Sequence, residues 1–247
     1  MYTWTMSWLE RKREFQHDQQ VMEPMRLYTA SRLRKSVRKA KTFPHYHLEE
    51  ISTPTKNRYL WLFRFADRQA CREFRYQFLS FALIQCEIGV FVFTSFEGTD
   101  EETGSVMFIP HFFSRYAERT GQTFSTPMSC IEAYLTRNFP AMACRNALPF
   151  SSVAASTSYE VCAASRDGVG LGLCDPSDKH CILLKTFIRY DMLRSAQRDD
   201  VYECMSMRQP NRTIQSHAKN VFRPSREIPF INFLAHLQNP VFASSLI

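Results

Sequence analysis

Between Tyr59 and Phe96 the chain carries three β-rich stretches separated by short polar breaks, and this limits the fold more than any other feature. Tyr59-Leu60-Trp61-Leu62-Phe63-Arg64-Phe65 reads as a strand rich in aromatics. Phe74 to Ile84 and Ile88 to Phe96 share that composition, and Asp67-Arg68-Gln69 reads as a turn between the first two. An acid-rich polar turn spans Gly98 to Gly104, and Val106 to Ile109 is a short strand. Three or four antiparallel strands are expected here.

Helical patterning flanks this block. Residues 4 to 41 read as helical, with Trp4, Trp8 and Phe15 on an apolar face and Pro24 opening a second helix. In that second helix Ala30, Leu33, Val37 and Ala40 fall at steps of three and four, and Phe43-Pro44 ends it. Pro110 opens a helix over His111 to Thr120, closed by Gly121. Thr126-Pro127 starts another, which Pro140 ends. Ala141 to Ser158 reads as a loop. Tyr159 to Ser165 and Val169 to Cys174 flank Asp167-Gly168, a dipeptide suited to a tight hairpin, and after a turn at Asp175 to Asp178, Cys181 to Ile188 completes a three-stranded meander. From Asp191 to about Leu237 the pattern is mainly helical, broken at Pro210, Pro224 and Pro229.

The expected fold is α+β, an antiparallel β-sheet with flanking N- and C-terminal helices. Its 247 residues are read as a single domain: a basic helical segment 1–50, a sheet-containing core 51–190 and a mainly helical segment 191–247. With 45% hydrophobic residues the chain can build a core, and its 7 glycines argue against glycine-rich phosphate loops.

No apolar run approaches the roughly 18 residues of a membrane helix, so no membrane partner is expected. The N-terminus lacks the pattern of a secretory signal. The 8 cysteines show no C-x-x-C spacing. Reduced thiols and a cytoplasmic location are the expectation.

Two constellations could carry chemistry. From Arg26 to Lys41 lie Arg26, Arg32, Arg34, Lys35, Arg38, Lys39 and Lys41 with no acid among them. Such a run repels itself unless an anion is near, so it suits a polyphosphate backbone, while a solvated helix face is the plainer reading. The net charge of +7 points the same way. The second constellation is His111, Arg115 and Arg119, one helical row at steps of four, with Glu118 able to pair with Arg115. Histidine can move a proton near neutrality and arginine can hold phosphoryl charge, so the row suits phosphodiester chemistry. An amphipathic helix with its polar row in water is the alternative.

The pieces His111, Arg115, Glu118, Arg119 and Gly121, then Asp167-Gly168 and Lys185-Thr186-Phe187-Ile188, resemble the small ribonuclease toxins related to RelE and BrnT over residues 106–190. Those toxins are far smaller, and the N-terminal sheet and both helical flanks have no counterpart in them. The resemblance implies metal-independent RNA cleavage. His111 would be general acid or base, Arg115 and Arg119 would hold phosphate, and Tyr190 or Thr186 would sit across from them on the last strand. Arg34, Lys35, Arg38, Lys39, Lys41 and Lys185 would hold the RNA.

His45 and His47 with Glu49 and Glu50, and Cys162, Cys174, Asp175, His180 and Cys181, lack established zinc spacing, so no metal is expected. No nucleotide or hydrolase motif is present, and no cofactor is expected. Two other readings stand beside the nucleic-acid one. A non-enzymatic adaptor would bind an acidic protein through the basic helix. A small-molecule enzyme would line its pocket with phenylalanines.

Overall fold

The computed structural model describes residues 1–3, 5–97, 103–138, 143–146, 159–174 and 181–194. The class is α+β, as the sequence implies. The described residues form two compact units, one up to Pro110 and one from His111, where the sequence reading takes a single domain. The turns expected at Gly98 to Gly104 and Asp175 to Asp178, most of the 141–158 loop and the helical C-terminal segment lie largely outside the described residues.

The first unit opens with helix α1, Trp8–Val37. Ser7 caps it: its hydroxyl accepts from the Glu10 N–H, and the Glu10 carboxylate accepts from the Ser7 N–H at 2.7 Å. The helix runs unbroken through Pro24, where the sequence suggests a new start. Proline forfeits the bond to the Gln20 carbonyl. On either side of it Phe15, Met22, Ala30, Leu33 and Val37 are all buried, and that shared burial keeps the two halves in line.

Five strands follow: β1 His45–Ser52, β2 Arg58–Phe65, β3 Gln77–Cys86, β4 Gly89–Glu97 and β5 Thr103–Phe108. They pair in chain order, each antiparallel to the next. β1 begins just after the Phe43-Pro44 break and is not among the expected strands. It pairs with β2 without a break, from His45 opposite Phe65 to Ser52 opposite Arg58. A short helix α2, Arg68–Glu73, replaces the turn expected after β2. The Asp67 side chain accepts from the Ala70 N–H at 2.7 Å at its start. Phe74, at φ 58°, ends it, a conformation the sequence conceals because glycine is its usual marker.

Helix α1 packs on the sheet face that carries Tyr59. Phe15 meets Tyr59 at 5.8 Å and Phe93 at 5.7 Å between ring centroids. Tyr59, Trp61, Phe63, Phe65, Phe81 and Phe93 have no measurable exposure. These buried rings fill the core of this unit, each gaining roughly 1.5–3 kcal/mol from burial.

The second unit begins with α3, Pro110–Thr120, and α4, Pro127–Arg137. Gly121, at φ 65°, ends α3, with the Gln122 N–H reaching back to the Ala117 carbonyl at 3.2 Å. Thr126 caps α4 with a reciprocal Ser129 bond, as Thr126-Pro127 signals. Four strands then form a meander: β6 Ala143–Asn146, β7 Tyr159–Ala164, β8 Val169–Cys174 and β9 Cys181–Ile188. The last three match the sequence reading closely, and β6 adds a fourth within the expected loop. Phe112 of α3, Tyr134 of α4 and Phe187 of β9 meet edge to face. Gly170 makes room for this: a Cβ there would stand 3.1 Å from the Phe112 ring. On the other face Cys162, Ala164, Val169 and Leu193 form a smaller cluster with Tyr190 against it.

Candidate functional site

The basic run lies at the C-terminal end of α1 and just past it. Arg34, Lys35, Arg38, Lys39 and Lys41 are all exposed. Arg34 stacks its guanidinium over the Phe74 ring at 5.8 Å. Arg32 forms an ion pair with Glu49 of β1, and Arg26 with Glu23. Lys35, Arg38, Lys39 and Lys41 make no ion pair among the described residues. The Arg34–Phe74 stack ties this end of α1 to α2, which brings two more exposed cations, Arg68 and Arg72. The sequence reading missed these two because it took α2 for a turn. Cations at a helix C-terminus also complement the partial negative charge there. That accounts for Arg34 and Lys35 in the last turn, but not for Lys39 and Lys41 beyond it.

The His111 row lies on α3 as the helical spacing predicts. The Arg115 Nε–H donates to His111 Nε2 at 3.1 Å, and Arg115 Nη1 pairs with Glu118 at 2.6 Å, all on an exposed surface. Arg119 is used differently. Its guanidinium donates to the Phe187 carbonyl and lies 3.5 Å from the Thr186 hydroxyl, which ties α3 to β9. Arg189 in turn reaches the Arg119 carbonyl at 3.3 Å. Thr186 and Arg119 therefore stand together, and Arg119 is engaged with main chain. Lys185 is exposed at an irregularity of the β8–β9 ladder, where Leu171 faces Thr186 and Gly172 faces Leu184. Tyr190 stands in a short 3-10 turn after β9, not on the strand, and its hydroxyl donates to the Ser165 carbonyl beneath the hairpin.

A polar hub that sequence reasoning missed joins α3, α4 and the β7–β8 hairpin. Asp167 accepts from the Tyr116 hydroxyl at 2.9 Å, from Asn138 Nδ2 at 3.1 Å and from Arg137 Nε at 2.6 Å. The Asn138 side-chain oxygen accepts from the Asp167 N–H at 2.9 Å. Burial pushes the Asp167 carboxyl up, but the bonds from Arg137, Asn138 and Tyr116 outweigh it and hold the group below its ordinary range. Tyr116 is pushed above its ordinary range, first by burial and then by Asp167. A second hub lies under α1. Asp18, 1% exposed, accepts from Asn57 Nδ2 at 2.7 Å and from the Tyr59 hydroxyl at 2.8 Å. Both hubs are closed on themselves and bind structure to structure.

His45 and His47 do share one side of β1, each about 6.3 Å from a β2 ring, Phe65 and Phe63. Burial, then the neighbouring His47, lowers the His45 pKa. Among the described residues no three His, Cys, Asp or Glu side chains converge as metal ligands would. No helix among them is long and apolar enough to cross a membrane. Cys71, Cys86 and Cys130 carry free thiols, and burial pushes the Cys130 thiol up to about 11. Cys162, Cys174 and Cys181 are buried in the second unit. Cys204 and the side chain of Cys144 lie outside the described residues.

Comparison with protein-family models, with curated proteins and with solved structures finds no match to this chain.

Proposed function

We propose that the chain binds RNA through the basic end of α1 and the adjoining α2. One observation carries this reading: Lys35, Arg38, Lys39 and Lys41 stand exposed without an ion pair among the described residues. Clustered cations left without counter-charges favour a polyanion, because binding one releases its condensed counterions. The test is anisotropy of a labelled RNA titrated with protein at several salt concentrations. Replacing Lys35, Arg38, Lys39 and Lys41 together by Gln should abolish binding without harm to the fold, since none of the four is buried. Undiminished binding by that variant contradicts the reading. Arg34 is left in place because its stacking on Phe74 is structural.

A second reading, metal-independent cleavage in the manner of the toxins the second unit resembles, rests on the exposed His111–Arg115 pair. In it His111 moves the proton and Arg115 meets phosphoryl charge. Arg119 and Tyr190 act at a distance, by holding α3 against β9 and the hairpin in place. A general acid or base contributes roughly 100- to 10,000-fold, so His111→Ala should lose that much cleavage while RNA affinity holds. Wild-type protein that binds RNA and leaves it intact removes this reading and keeps the first.

A further inference from the structure

The outer face of α1 carries a row that the core does not explain. Val21, Met25, Tyr28, Arg32 and Lys35 follow at steps of four, three, four and three, so they form one continuous stripe. Lys39 lies four residues after Lys35, two past the helix end at Val37. The N-terminal half of the stripe is apolar and exposed: Val21 at 44%, Met25 at 41% and Tyr28 at 68%. Its C-terminal half is basic, and no acid interrupts it. Tyr28 is the most exposed aromatic side chain among the described residues, and it stands one turn before Arg32 and two before Lys35. At about 1.5 Å per residue, Tyr28 and Lys35 are roughly 10 Å apart along the axis.

We propose that this stripe selects single-stranded RNA, with an unpaired base stacked on the Tyr28 ring and the adjoining phosphates held by Lys35 and Lys39. The inference rests on the RNA-binding reading and adds the form of the RNA to it. A flat aromatic ring in water beside a row of cations offers the two things a single strand presents, an open base face and a charged backbone. A duplex keeps its bases stacked inside and gains nothing from Tyr28. Arg32 shares its charge with Glu49, so Lys35 and Lys39 are the principal phosphate partners. Met25, one turn before Tyr28, offers apolar surface beside the stacked base.

The experiment compares wild type, Tyr28→Ala and Tyr28→Phe for binding to an unstructured RNA and to a duplex of equal length. Tyr28 is largely exposed, so neither substitution should alter the circular dichroism spectrum or the melting temperature. Tyr28→Ala should weaken single-strand binding by roughly 5- to 150-fold, the range for losing one stacked base. Its salt dependence should stay unchanged, because no charge is lost. Tyr28→Phe keeps the ring and should bind as wild type does. With 5-iodouridine in the RNA, irradiation should crosslink Tyr28, located by peptide mass spectrometry. Equal affinity for strand and duplex, or wild-type binding by Tyr28→Ala, overturns the inference. So does a wild-type self-association, seen by sedimentation without RNA, that Tyr28→Ala removes, since the stripe would then be a protein interface. If Tyr28→Ala binds normally while the Lys35, Arg38, Lys39 and Lys41 variant does not, only the inference falls. If both bind normally, the RNA-binding reading falls with it.

Discussion

Asp167 ties three elements of the second unit together. It receives one bond from α3, at Tyr116, and others from Arg137 and Asn138 at the end of α4, while itself sitting in the turn before β8. Asp167→Ala would leave the Tyr116 hydroxyl without its acceptor and the Asn138 amide with only a long bond to Tyr116 at 3.5 Å. The loss should be about 2–4 kcal/mol in denaturant unfolding, as for a buried charged hydrogen-bond partner removed. Asp167 also sets an acid sensitivity. Its folded pKa lies below the unfolded one, so its contribution is complete above the ordinary carboxylate range near 4. That contribution fades as pH falls through the lowered folded value. Wild type should therefore lose stability below about pH 4, and Asp167→Asn, already weakened at neutral pH, should lose less over the same interval. An equal acid loss in both would place the sensitivity elsewhere. Gly168, next in the chain, also has a fixed role: a Cβ there would stand 2.3 Å from the Ile188 carbonyl oxygen. Its φ is not positive, so close approach to β9, and not the turn, demands glycine at this point.

At the scale of elements, α1 has the least expected feature, a proline within 30 helical residues. Pro24 is exposed and contributes nothing to the core, so Pro24→Ala restores a donor to the Gln20 carbonyl at no packing cost. The expected result is a gain of about 1–3 kcal/mol and a higher melting temperature. A loss would mean that the proline shapes α1 to its sheet. Much of the fold was legible wherever the signal is local. Thr126-Pro127 marks a cap, Gly121 an end, and Cys181 to Ile188 a strand with matching bounds. The rest depends on distant partners. Nothing near Phe74 announces a left-handed residue, so α2 was hidden, and with it Arg68 and Arg72. The partners of Asp167 lie 51 and 29 residues away in sequence, at Tyr116 and Asn138, and no spacing rule connects them. For the same reason a helical row could place Arg119 beside His111 and Arg115. It could not show that the Phe187 carbonyl, 68 residues on, would claim that guanidinium.

For the whole molecule, a charge of +7 makes weak attraction to any polyanion a general property, so affinity alone is a poor test of a defined site. A defined site requires more: four particular cations, Lys35, Arg38, Lys39 and Lys41, displace counterions when RNA binds. Each phosphate neutralised on a single strand adds about 0.7 to the slope of log affinity against log salt. The most direct measurement is that slope, for wild type and for the variant with all four replaced by Gln, on one unstructured RNA. The wild-type slope should be steeper than the variant's by about 3, with binding by the variant near the limit of detection at physiological salt. Equal slopes, or binding independent of salt, would contradict it.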